Sequence, residues 1–132
     1  MKTEPAPLVL TDRNQLDRWD DLVRAAEAPN SDGLEAALDP VDDDDYDEAT
    51  PADLATAFPD AAVIFAADAE ALADDDFPIL CIDPEGLVEP FRVLAADIWM
   101  VENSLASGDL TLEDLAEEVG PDGILVDPDR ED

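Results

Sequence analysis

The chain has 132 residues, 37 of them Asp or Glu and 6 Lys or Arg, for a formal net charge of −31, with 46% hydrophobic residues. That hydrophobic share can build a core, which excludes an acidic disordered tail. The charge excludes ordinary nucleic-acid binding and docking on anionic lipid through a basic patch. The absence of His removes every mechanism that needs an imidazole.

The predicted elements alternate between apolar runs and helical patterns, which points to an α/β (or α+β) domain. Leu8–Leu10 reads as a first strand. Asp12 then caps a helix, with Gln15 completing a capping box, and Leu16, Trp19, Leu22, Val23 and Ala26 recur at helical spacing until Pro29. Within that helix Asp20 and Arg24 fall at i, i+4 and are expected to pair. The alternation of Leu34, Ala36 and Leu38 fits a strand or a short helix. Thr50-Pro51-Ala52-Asp53 is a helix start, with Thr at the cap and Pro at the first helical position, and Pro59 stops that helix.

Residues 62–66 then predict a buried strand and 68–73 a brief helix. Ile79–Ile82 and Phe91–Leu94 are further strands. A helix follows over 95–107, carrying Ile98, Trp99, Val101 and Leu105 and closed by Gly108. Thr111 caps the next one, with Leu110 and Leu115 at the staple positions, and Gly120-Pro121 ends it. Residues 123–126 can add a last strand. The expectation is one small domain over 1–126, a central sheet of four to five short strands flanked by helices, and an acidic tail over 127–132. Trp19, Trp99 and Leu115 should supply the helical part of the core.

The charge is uneven. Residues 1–30 carry six acids and four bases, whereas 31–90 carry nineteen acids and no base. The densest run, Asp42-Asp43-Asp44-Asp45-Tyr46-Asp47-Glu48, should repel itself into an extended, solvated loop. Asp74, Asp75 and Asp76 form a second cluster. Acids two apart on a strand stand about 6.5–7 Å apart, comparable to the charge interval along one DNA strand. The nine acids of these two clusters are the expected binding surface for a basic protein.

Other chemistry is weaker on the residues. Apolar runs precede Asp12, Asp68 and Asp83, and in a parallel sheet such acids can converge beyond the strand ends on Mg²⁺. Asp12 and Asp68 also sit where helix caps are needed, and Lys2 is the one lysine that could serve phosphoryl transfer. Asp43-x-Asp45-x-Asp47 begins like a Ca²⁺ loop but has Glu48 at position six and Leu54 at position twelve, where Gly and Glu belong. No cofactor and no metal is expected. Cys81, inside Pro78-Ile79-Leu80-Cys81-Ile82, reads as a small buried hydrophobe. A single Cys and the lack of a long apolar run favour a cytoplasmic setting.

Phe91-Arg92-Val93, Asp97-Ile98-Trp99 and Val101-Glu102-Asn103-Ser104-Leu105, with Ile82-Asp83 before them and Asp122-Gly123-Ile124 after, carry a resemblance. The chain resembles an uncharacterised family of acidic bacterial proteins of about this length, a domain of unknown function, best over 77–126; Ser104 stands where that family usually has Asn. The resemblance implies a shared fold and supplies no catalytic residue. Glu102 and Asn103 read as polar groups satisfied within the fold.

The functional expectation is a non-enzymatic acidic interaction protein: an inhibitor, immunity protein or DNA mimic that meets a nuclease, toxin or DNA-binding protein, with no direct nucleic-acid contact and no membrane. Two alternatives stand beside it. One is a Mg²⁺-dependent phosphoryl-transfer or hydrolytic enzyme using Asp12, Asp68 and Asp83. The other is a halophile-adapted protein whose charge answers salt, as its excess of Asp over Glu (25 to 12) and Arg over Lys (5 to 1) allows.

Overall fold

The computed structural model describes residues 6–12, 16–28, 33, 38–59, 61, 63–74, 76–86, 88–107, 112–120 and 123–125. The strands are β1 (Ala6–Leu10), β2 (Leu38–Val41), β3 (Ile64–Ala67), β4 (Pro78–Ile82), β5 (Phe91–Leu94) and β6 (Ile124–Leu125). The helices are α1 (Leu16–Glu27), α2 (Pro51–Ala57), α3 (Ala69–Ala73), α4 (Ile98–Ser107) and α5 (Leu112–Glu117), with 3₁₀ turns at Asp44–Tyr46 and Ala95–Asp97. This is an α/β domain with one six-stranded mixed sheet, one or two strands more than expected. The order is β2-β1-β3-β4-β5-β6. All neighbours pair in parallel except β4, which is antiparallel to both β3 and β5.

Strand alternation divides the core in two. On one face Leu8, Phe65, Cys81 and Phe91 lie in register across four strands, as do Ile79, Val93 and Leu125 across three. Helices α1, α3, α4 and α5 cover this face with Trp19, Leu22, Ala71, Leu72, Ile98, Val101, Leu112 and Leu115. On the other face Val9, Ile64, Ala66 and Ile82 form a smaller core with Leu54 of α2, joined by Tyr46 and Phe58. Trp19 and Leu115 are buried as expected, whereas Trp99 is only half-buried at the margin of the larger core.

Local signals read well. Thr50 caps α2, its hydroxyl accepting from the Asp53 N–H at 3.2 Å while the Asp53 carboxylate accepts from the Thr50 N–H at 3.0 Å. Asp68 caps α3 by accepting from the Ala71 N–H. Strand β3 runs to Ala67, one residue beyond the expected end, because its last carbonyl accepts the Thr11 N–H at 3.0 Å from the end of β1. On α1, Arg24 reaches Asp21 at 3.7 Å, and both side chains are exposed, so this pair contributes little. Asn103 donates to the Trp99 carbonyl one turn back, a bond within α4. The expectations for Gln15, residues 34–37, Gly108, Leu110, Thr111 and the 127–132 tail lie outside the described residues.

Removing the cap hydroxyl by Thr50→Ala should lower stability by about 1 kcal/mol, measured by urea unfolding. Burial pushes the Cys81 thiol well above its ordinary value of 9.0, against a smaller opposing effect of Arg92. The folded state thus resists thiol ionisation: this contribution to stability is complete below pH 9.0 and is lost as pH rises beyond it. Native Cys81 should react with a disulfide reagent only on unfolding, at a rate that denaturant accelerates.

Candidate functional site

Strand directions decide which loops share an edge. Strands β1, β2, β3, β5 and β6 run the same way, and β4 runs against them. The carboxyl ends of those five strands and the amino end of β4 therefore lie along one edge of the sheet. Asp42–Glu48 leaves β2 at this edge, and Asp74 and Asp76 lead into β4 at the same edge. The two expected clusters, far apart in sequence, thus lie on one side of the domain. Three strand intervals separate the end of β2 from the start of β4, about 14 Å. Of the nine expected residues, Asp42, Asp43, Asp45, Asp47, Glu48, Asp74 and Asp76 are exposed, and the backbone of Asp44 lies in the same turn. Asp75 lies outside the described residues.

The acidic run is not the extended loop that charge repulsion alone predicts. Residues 44–46 form a 3₁₀ turn in which the Asp43 carboxylate accepts from the Asp45 N–H at 3.0 Å. Tyr46 packs on Phe58, with ring centroids 5.6 Å apart. Glu48, at φ 63°, donates its N–H to the Thr11 carbonyl at 2.8 Å. Apolar anchorage and backbone bonding hold the turn while Asp42, Asp43, Asp45, Asp47 and Glu48 remain exposed to water, where repulsion is screened. The second cluster is built similarly. Asp74 accepts from the Asp76 N–H at 2.9 Å, and Phe77, at φ 51°, turns inward beneath the Arg18 guanidinium, 5.2 Å from its ring centroid.

Asp12, Asp68 and Asp83 do not converge. Because β4 is antiparallel to β3, Asp83 leaves the sheet at the opposite edge from Asp68. There its carboxylate closes a turn, accepting from the N–H groups of Glu85 at 2.9 Å and Val88 at 3.1 Å. Asp68 is also committed. Its two oxygens take a bidentate contact from Arg92, Nη1 at 3.0 Å and Nη2 at 2.8 Å, besides capping α3. The assumption of uniformly parallel strands, on which the Mg²⁺ arrangement rested, is corrected by this one reversed strand. Among the described residues no group of three acids or Cys is placed to hold a metal ion.

Arg92 is the site residue that sequence reasoning missed. Besides Asp68 it engages Glu70, Nε to Oε2 at 2.8 Å, and donates to the Pro78 carbonyl at 2.9 Å. The hydrogen bonds it donates to Asp68 raise its pKa above the ordinary guanidinium value, outweighing partial burial, so it stays a cation. The signal was present: one cation at the second position of the strand Phe-Arg-Val-Leu, the first base after Arg24.

A mixed six-stranded α/β domain with an acidic loop edge and one clamped arginine defines the structural class. The chain belongs to the family described as Domain of unknown function (DUF6924), which matches residues 5–127. The family likeness, expected to be best over 77–126, thus extends over nearly the whole chain. No curated protein matches the sequence.

Replacing Arg92 with Gln should cost about 1–2 kcal/mol, since its side chain and that of Asp68 keep some exposure and the pair is partly screened. A double-mutant cycle of Arg92→Gln and Asp68→Asn by denaturant unfolding should return a positive coupling energy.

Proposed function

We propose that this protein is a non-enzymatic acidic interaction protein, an inhibitor, immunity protein or DNA mimic, that meets a basic protein through its acidic loop edge. The observation that carries this reading is the placement of Asp42–Glu48 and of Asp74 and Asp76 on one edge of the sheet. Two acidic loops held by their own backbone bonds about 14 Å apart present a rigid anionic surface rather than a diffuse cloud of charge. Such a surface raises the association rate with a positive partner and makes it salt-dependent. Arg92, the nearest cation to Asp68, offsets little of this, since two carboxylates already engage it. The partner classes that fit are a nuclease, a toxin or a DNA-binding protein.

The proposed setting is the cytoplasm, supported by the lone buried thiol. No helix among the described residues is long and apolar enough to cross a membrane.

The test is a pull-down with mass spectrometry across salt concentrations, followed by association kinetics with the protein it identifies. Reversing Asp42, Asp43 and Asp45 to Lys should cut the association rate about tenfold or more at low salt and flatten its salt dependence. An unchanged rate would remove this loop from the interface. A thermal melt series separates binding from salt adaptation. A fold that holds at low salt supports the proposal, and folding only above molar salt favours adaptation.

A further inference from the structure

Two of the five arginines of the chain are committed to one short helix. At the start of α3, Arg92 from β5 grips both oxygens of the cap residue Asp68 and reaches Glu70 at 2.8 Å. At the other end, Arg18 from α1 donates its Nε–H to the Leu72 carbonyl at 2.9 Å. The same guanidinium lies over Phe77, 5.2 Å from its ring centroid. Two elements distant in sequence thus hold the two ends of α3.

The stretch is weakly stable on its own account. A helix of five residues does not persist by itself, and this one buries only Ala71 and Leu72. Beyond it, the Phe77 N–H donates to the Asp74 carbonyl at 3.0 Å and the Asp76 N–H to the Asp74 carboxylate at 2.9 Å. Phe77 sits at φ 51°, a left-handed conformation that a bulky side chain adopts only at a cost. It is held there by its burial, by Arg18 above the ring and by the Ala95 N–H, which donates to its carbonyl at 3.0 Å. Such strain persists only while its surroundings enforce it, so it favours release of the segment. The flanking strands differ in kind: β3 and β4 pair with each other and fill both cores with Phe65, Ile64, Ile79 and Ile82. Local opening is cheapest where buried apolar groups are few.

We infer that α3, with Asp74, Asp76 and Phe77 behind it, is a hinged strap that opens as one unit while the sheet stays folded. Arg92 and Arg18 are its two latches, and its hinges lie where β3 ends and where β4 begins. Opening carries Asp74 and Asp76 with it, which gives the acidic edge a movable part. The strap needs no partner and is independent of the reading above.

The test is hydrogen exchange of the full chain, followed amide by amide by NMR. The reporters are Ala71, Leu72 and Phe77, whose N–H groups are bonded at 3.0 Å within the strap. All three should share one protection factor, about tenfold or more below that of the slowest amides of β1 and β3. Arg18→Met and Arg92→Gln should each accelerate all three by about tenfold, although they act at opposite ends. Thr50→Ala weakens α2 and leaves the contacts of the strap intact. It should accelerate the β1 and β3 amides about fivefold and leave the three reporters unchanged. Reporters that exchange no faster than the sheet, and that Thr50→Ala accelerates equally, overturn the inference, because α3 then opens only in global unfolding. Acceleration confined to the end that each arginine touches also overturns it, because the two latches then hold separate contacts. Should an arginine variant fail to fold, the unmodified chain and Thr50→Ala decide.

Discussion

The clamp around Arg92 ties three consecutive strands together at the edge where the chain reverses. Its guanidinium leaves β5, donates to the first carbonyl of β4, and grips both oxygens of Asp68 where β3 passes into α3. Asp68 in turn caps α3, the short helix whose Ala71 and Leu72 fill the larger core. A five-residue helix is marginal alone, so it depends on this cap and on tertiary packing. Glu70 adds a second carboxylate from the same helix. The result is a β3-α3-β4-β5 unit whose polar clamp lies on one face of the sheet, beside the smaller core, and whose larger core lies on the other. In a chain with so few bases, a cation held by several partners at once binds more of the structure than one scattered on the surface.

The reversed strand β4 has consequences beyond its own pairing. A uniformly parallel sheet would bring the acids after each apolar run to a single crevice. One antiparallel strand sends Asp83 to the far edge and brings Asp74 and Asp76 to the near one. The same geometry that dismantles a three-carboxylate metal arrangement gathers the two acidic loops. The short link between β3 and β4, spanning only α3 and a turn, is what the antiparallel arrangement permits. Strands β1 to β3, by contrast, are joined through the longer crossovers that parallel pairs require.

Local signals were legible because they depend on a few adjacent residues. The Thr50 box, the Asp68 cap and the stop before Pro59 all follow from groups within four positions of one another, and alternation in Phe91–Leu94 marked its inward side. The Asp42–Glu48 turn was misread for the opposite reason. Charge density is visible in the sequence, but the contacts that compact the loop, Tyr46 on Phe58 and the Glu48 N–H on the Thr11 carbonyl, join it to distant segments. Arg92 stands out in the sequence as a lone cation in a strand, but its partners, 14 to 24 residues away, are not legible there.

The large negative charge, its concentration in the middle of the chain, the sufficiency of apolar residues for a core and the alternation of strands with helices were all determined by the sequence alone. They follow from composition and short-range periodicity, which require no knowledge of what meets what. Tertiary structure decided the direction of β4, the side on which each acidic run emerges and the engagement of Asp68 by Arg92. Those depend on pairing between segments distant in sequence, where one reversed strand moves a carboxylate from one edge of the domain to the other without altering any local pattern.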